Sequence, residues 1–531
     1  MENQLVYLKS NLIIEPLFDM WHAWSHLISP ATSSRNIKMR HLEIMESFIE
    51  NPMFHEMAVK NSRFRGGPFI DHSADKLDEI IALRNGTLEN QKGMLELAEA
   101  IDDLNDLLKN EAKGFSLKSL YAKIPEPLKG YVEIFYDLNG NPSYRIFEGL
   151  LYKSDFYKES SQSIVLKLID NDEDRSFVLS TPRLTDDESL HLNIPFKDER
   201  IDMLAKMQYQ PMAYNEVKGA LHINENQEEI FKTFFTSQAP KKYTPYSGSG
   251  IRVRYFGHAC VLIETKGTSI LVDPLISYEY DSGIPRYTYE DLPDEIDFIL
   301  ITHNHQDHLL YETLLRLRHK TKNIIVPKCG LGNLQDPNVK MNLQNVGFNN
   351  VHEISDLDEL KLLNCIITGL PFLGEHGDLD VRSKLCYHIK IDDRFSVVFF
   401  ADSNNIAPMV YKHVHRITGD IDVMFLGMEC DGAPMSWLYG PLLPQRIDKE
   451  KDITRRLDGS DYSKGLDLVE RFNPKDVFVY AMGMEPWLEF LTSVKYTDES
   501  RPIIESNKLI EKCKEMGING ERLYGEKTIM Y

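Results

Sequence analysis

The apolar run Phe298-Ile299-Leu300-Ile301-Thr302 ends in His303-Asn304-His305-Gln306-Asp307-His308. Three imidazoles and a carboxylate within six residues make a dense group of metal ligands. The run before them reads as a strand, and Leu309 to Arg318 reads as a helix. In α/β layer proteins, ligands gather at such strand ends. His303 and His305 alternate and can face one metal. Asp307 and His308, where the helix begins, can face a second. A merely polar loop rich in His is the weaker reading.

The chain has 531 residues, so more than one domain is expected. Its 42% apolar and 27% charged content is ordinary for a globular protein. No stretch approaches a membrane span. Met1-Glu2-Asn3-Gln4 lacks the basic start of a signal peptide. The six scattered Cys include no close pair, which argues against a disulfide framework or a Cys-type zinc site. A reduced cytoplasm is the simplest setting. A net charge of -21 disfavours nucleic acid and anionic membranes as partners.

Residues 237–250 are rich in Pro, Gly and Ser and read as a linker. This divides the chain into an N-terminal α+β domain, 1–245, and a second domain, 246–531. In the first, Trp21 to Leu27, Met39 to Ile49 and Gln91 to Leu108 carry helical spacing. Tyr131 to Tyr136, Tyr144 to Tyr152, Ser163 to Leu168 and Phe177 to Ser180 read as strands, with a turn at Asp137 to Pro142. In the second, Ile251 to Glu264 reads as two strands around Gly257-His258. Further strands are expected at Ser269 to Asp273, Asn323 to Pro327, Phe395 to Phe400, Val423 to Leu426 and Val477 to Tyr480. Strand pairs mixed with helices suggest a layered α/β sandwich.

Gly257-His258-Ala259, Leu271-Val272-Asp273-Pro274 and Thr302 to His308 together resemble the metallo-β-lactamase superfamily over roughly residues 251 to 531. The resemblance implies an αββα sandwich with a two-metal site between its sheets. His303 and His305 would hold the first metal, Asp307 and His308 the second, and Asp402 would bridge them. Zinc hydrolases of this kind usually add a His midway and another late in the chain. Here no His follows His415. The late strand end reads Tyr480 to Trp487 instead, and what replaces the late ligand is left open. Midway stands Gly374-Glu375-His376-Gly377-Asp378, where the residues alone leave Glu375 and His376 both open. With Glu375 as ligand the set gains a third anionic side chain, a mix that suits iron better than zinc.

These departures, with Trp24 to Ala31, Gly66 to Ile70, Ser180 to Leu184, Arg456 to Ser460 and Tyr480 to Trp487, resemble a smaller family. It comprises the di-iron β-hydroxylases of nonribosomal peptide pathways, chloramphenicol biosynthesis among them. There the midway ligand is the Glu of a Gly-Glu-His segment, which implies Glu375. The resemblance implies a non-haem di-iron monooxygenase with two iron ions and O2 as co-substrate. Catalysis would centre on Glu375 and Asp402. The substrate would be an amino acid held as a thioester on a phosphopantetheinylated carrier domain and hydroxylated at Cβ. An electron-donor protein is implied as well, and a homodimer through the first domain is compatible with the resemblance. The first domain would roof the site and shape the carrier-docking mouth. The alternative is a zinc-dependent hydrolase of a lactone, thioester or phosphodiester, in which zinc-bound hydroxide attacks.

Other residues carry less. His258 orients a ligand or water, or is a turn His satisfied by backbone. Asp273 is expected to fix a loop through backbone N–H groups. Glu429 and Glu485 read first as packing or surface residues. Arg455 and Arg456 read as solvated charges, and Trp21 and Trp24 as core. The identity of the amino acid, its stereochemistry, the donor and the carrier are not legible.

Overall fold

A strand buried on both faces is written as an unbroken apolar run, because each face meets its own core. Phe395–Phe399 follows this rule. Val397 and Phe399 enter one core, whereas Val398 and the following Phe400 enter another. Likewise, Ile263 and Ile270 point one way and Leu262 and Leu271 the other. The computed structural model describes residues 4–330, 332–362, 364–392 and 394–531.

Two seven-stranded sheets form the second half. The first runs in the order Val351–Ile354, Thr321–Pro327, Ile296–Leu300, Ser269–Val272, Val261–Glu264, Arg252–Tyr255, Lys527–Met530. The second runs Glu359–Lys361, Cys365–Leu370, Cys386–Ile391, Phe395–Phe399, Val423–Gly427, Asp476–Tyr480, Asn519–Arg522. Their inner faces share one core. Helices Pro408–Thr418, Tyr462–Phe472 and Arg501–Glu515 cover the second sheet. Helices Tyr311–Leu317 and Val339–Asn345 lie on the first. This is the expected αββα sandwich with an α+β part before it.

The core outside the first sheet is continuous with that of the N-terminal part, where Leu12–Phe18 is a central strand of a four-stranded sheet. Buried polar contacts stitch the two halves together. Arg35 pairs with Asp102 at 2.6 Å and donates to the carbonyls of Pro441 and Leu443. Arg175 lies 2.5 Å from Glu312, beside Glu15. Among the described residues, no helix is long and apolar enough to cross a membrane.

Three expected elements differ. Trp21 to Leu27 is not one helix: Trp21–His22 pairs antiparallel with Leu17 and Phe18, and the helix is Ser25–Ile28. Asp19 and Met20 adopt left-handed φ values of 49° and 69°, which turn the chain back on itself. Tyr144 to Tyr152 splits into strand Pro142–Ile146 and helix Glu148–Leu151, the strand ending where Ile146 N–H is taken by Gly332 O. Phe177 to Ser180 forms turns, with Val178 N–H donated to Phe490 O across the interface.

Candidate metal centre

Strand Ile296–Leu300 delivers the His-rich loop, and Asp273, closing the neighbouring strand, anchors it. Asp273 accepts from Thr302 N–H at 2.7 Å and Thr302 O–H at 2.6 Å, and lies 2.8 Å from His308 Nδ1. The expected loop-fixing role of Asp273 thus extends to the His308 ring. With Nδ1 held there, His308 presents Nε2 inward, 2.9 Å from Asp402 Oδ2.

The six sequence-selected side chains converge. His303 Nε2 lies 3.8 Å from both Glu375 Oε2 and Asp402 Oδ2. His305 Nδ1 lies 2.7 Å from Glu375 Oε1. Two triads, His303–His305–Glu375 and His303–His308–Asp402, bring single ligand atoms within 4.8 Å of one another. A third, His258–His308–Asp307, adjoins them. His303 Nε2 and Asp402 Oδ1 are buried with no hydrogen-bond partner. Buried polar atoms are rarely left so, and a pair of cations among them answers the need.

The electrostatics point the same way. Burial works against ionisation of Glu375, but His305 and His376 prevail and hold its carboxyl down at about 2. Burial pushes the Asp402 carboxyl up, against the pull of His308, and the charges of Glu375 and Asp307 add to the rise. Glu429 is raised much further, by burial and then by Asp402, Asp307 and Glu375. Glu429, partly buried, therefore stands close enough to the centre to feel its carboxylates. Crowded buried carboxylates call for cations.

His258 can be assigned from its bonds. Gly483 N–H, which can only donate, points at His258 Nδ1 at 3.1 Å. The ring proton is therefore on Nε2, 3.2 Å from Asp307 Oδ2. His258 orients Asp307. Its anchor, Ala481 to Gly483, is the strand end where a late His was missing; Ala481 N–H also donates to His258 O at 2.9 Å.

Backbone strain concentrates here. His258, Asp273, Glu375, Ala401 and Ala481 all have left-handed φ, between 41° and 67°. Such residues cost of order 1–3 kcal/mol each and persist where surrounding structure holds them. At Gly377, φ 58°, an added Cβ would come within 2.3 Å of Met435, so this turn admits no side chain there.

Of the Glu375/His376 pair, Glu375 faces the centre. His376 stands behind it, Nδ1 2.9 Å from Glu375 Oε2. Glu485 is buried but accepts from Tyr255 O–H at 2.5 Å, away from the ligands. Arg455 ties Gly377 O at 2.8 Å, and Arg456 pairs with Asp431 at 3.0 Å. Trp21 and Trp24 are core. Two residues escaped the sequence reading. Tyr439 O–H lies 3.1 Å from His305 Nε2. His26, from the N-terminal part, stacks on Trp24 at 4.3 Å with its ring 6.0 Å from that of Tyr439. The Trp24-Ser25-His26 segment was the only signal for the second.

Comparison with known proteins places this geometry. The family model for the diiron non-heme beta-hydroxylase N-terminal domain matches residues 7–240, and that for the beta-lactamase superfamily domain matches 252–429. A 4-amino-L-phenylalanyl-[CmlP-peptidyl-carrier-protein] 3-hydroxylase from Streptomyces venezuelae is 38% identical over 530 residues, 98% of this chain and 99% of the relative. The crystal structure of CmlA, a diiron beta-hydroxylase from the same organism, superposes with a TM-score of 0.93 at 35% identity, covering all of both chains. A mutant of the CmlA beta-hydroxylase gives 0.90, covering 99% of this chain and all of the other. The chain belongs to the diiron non-haem β-hydroxylase family, an enzyme family in which a dedicated N-terminal domain precedes a metallo-β-lactamase-like sandwich.

Proposed function

We propose that this chain hydroxylates the Cβ of an amino acid held as a thioester on the phosphopantetheine arm of a peptidyl carrier domain. In this reading His303, His305 and Glu375 would hold one iron, and Asp307, His308 and Asp402 would complete the ligands of the pair. The relative's name, a 3-hydroxylase of a carrier-bound aminoacyl group, supports it. One observation carries the metal assignment. Glu375, and not His376, presents its carboxylate 2.7 Å from His305 Nδ1, so three anionic side chains meet three imidazoles. Oxygen-rich sets of this kind favour iron over zinc.

When bound, the iron pair supplies O2 activation, the hard chemistry that no side chain offers. The overall reaction takes C–H, O2, two electrons and two protons to C–OH and water, so an electron-donor protein is part of the proposal. The chain's own residues position and exclude. Asp273 holds His308, Tyr439 holds His305, and His258 holds Asp307. Such supporting partners tune the metal as well as the geometry. Phe372, its ring 5.2 Å from that of His303, keeps that flank apolar. We assign residues 1–245 to roofing and carrier docking, and 246–531 to catalysis.

The test is metal analysis with an optical spectrum, followed by turnover of aminoacyl-carrier substrates under isotope-labelled O2. About two irons per chain and one labelled oxygen in the product are expected. Two zincs, with ester or lactone hydrolysis instead, would overturn the reading.

A further inference from the structure

His376 is a metal ligand held in reserve. Its Nδ1 lies 3.2 Å from Gly374 O and 2.9 Å from Glu375 Oε2. A backbone carbonyl can only accept, so the ring proton is on Nδ1 and the Nε2 lone pair is free. That Nε2 is buried and has no hydrogen-bond partner among the described residues. The ring stands 4.5 Å from that of His305 and 5.7 Å from that of His303, centroid to centroid. Turning the backbone over at this point would exchange a carboxylate ligand for an imidazole.

The backbone decides which of the two neighbours faces the metals. Gly374, Glu375 and Gly377 have φ values of 68°, 67° and 58°. A non-glycine residue in this region relaxes unless its surroundings hold it. Two cations hold this turn. Lys384 Nζ donates to Gly374 O at 3.0 Å, and Arg455 Nε donates to Gly377 O at 2.8 Å. These carbonyls flank Glu375-His376 on either side. Charged donors make stronger hydrogen bonds than neutral ones, so the turn is gripped at both ends.

Each cation is itself anchored. Lys384 sits opposite His303 in an antiparallel bridge, and Leu385 N–H donates to Thr302 O at 2.7 Å. Arg455 O accepts from Met435 N–H at 2.8 Å, and Met435 packs against Gly377. The far side of the turn is closed as well, since a Cβ on Gly374 would come within 2.7 Å of Asn404. Burial pulls the Lys384 ammonium down, and Glu375 is foremost among the charges that hold it up.

We infer that Lys384 and Arg455 are positioning residues that lock Glu375 toward the metals and His376 away from them, and so set the preference of this centre for iron over zinc. The inference rests on the proposed function. An imidazole exchanged for a carboxylate makes the ligand set softer and less anionic, which suits zinc.

The test counts metals. Metal-free full-length protein is offered a fixed mixture of ferrous iron and zinc without oxygen, and the bound metals are measured per chain. K384M and R455M are expected to lower the ratio of bound iron to zinc about tenfold against the wild type, an effect of the size that ligand-supporting partners carry. K384R and R455K keep the charge and a donor, and are expected to hold the wild-type ratio. H376Q added to K384M is expected to bring the ratio back, because no spare imidazole is left. K384Q repeats the measurement if the urea midpoint shows K384M unfolded. The clamp is overturned if the Met variants keep the wild-type ratio, if the conservative variants fall as far as they do, or if H376Q leaves the fall unchanged. A wild type that takes up iron and hydroxylates a loaded carrier leaves the proposed function standing in each of those cases. A wild type that binds zinc alone and turns over no aminoacyl carrier overturns the proposed function, and the clamp with it.

Discussion

Glu148 joins the two halves of the molecule from a buried position. Its Oε1 accepts from Ser29 Oγ at 2.7 Å, and its Oε2 from the N–H of Asn338 at 2.9 Å. Despite these donors, burial pushes its carboxyl up from 4.5 to about 7. Between those values the folded chain keeps a proton that the unfolded chain has lost. Stability therefore falls as pH rises from about 4.5 to 7, by about 3 kcal/mol at about 1.4 kcal/mol per unit, and is flat above. Glu148→Gln keeps the shape and never titrates. The Gln carbonyl takes the Asn338 N–H, and its amide donates to Ser29 Oγ. The variant should match the wild type in acid and exceed it by about 3 kcal/mol above pH 7. Denaturant unfolding across this range measures the difference, and hydrogen exchange at the Asn338 amide localises it. A difference between variant and wild type that does not change with pH would refute the argument.

Asp273→Asn removes the carboxylate that fixes both Thr302 and the His308 ring. Iron affinity should fall about 10–100-fold, read as faster iron loss to a chelator. Arg175→Met leaves Glu312 buried without its guanidinium and weakens the hold on Glu15. A loss of about 3–5 kcal/mol is expected, seen as an earlier urea midpoint. Ferrous iron added to metal-free protein should release protons, because burial first, and then the carboxylates around them, raise Asp402 and Glu429. An unbuffered titration with no acidification would count against a centre at these residues.

The cluster from His303 to His308 was legible because its ligands are local: adjacent residues at one strand end share one site. The sandwich was legible because doubly buried strands such as Phe395–Phe399 are apolar throughout. Which of Glu375 and His376 faces the metals was not legible from the residues. That depends on a turn in which Gly374, Glu375 and Gly377 all have positive φ, and side-chain periodicity fails in such backbone. The same physics hid the strand at Trp21, where left-handed Asp19 and Met20 reverse the chain. Tyr439 and His26 were missed for another reason. Their partners lie far away in sequence, and beyond the Trp24-Ser25-His26 segment no local pattern marks them.

The order of strands has a consequence for synthesis on the ribosome. Arg252–Tyr255 pairs on one side with Val261–Glu264, made moments later, and on the other with Lys527–Met530, made much later. Until that strand emerges, Arg252–Tyr255 is itself the open edge of the first sheet, and the edge then passes to Lys527–Met530, while the N-terminal part is already free to fold. Asn519–Arg522 joins the other sheet just before, so both sheets gain an edge strand in quick succession from one short stretch of chain. Slow translation through the stretch before it should therefore lengthen the window for aggregation more than slow translation elsewhere.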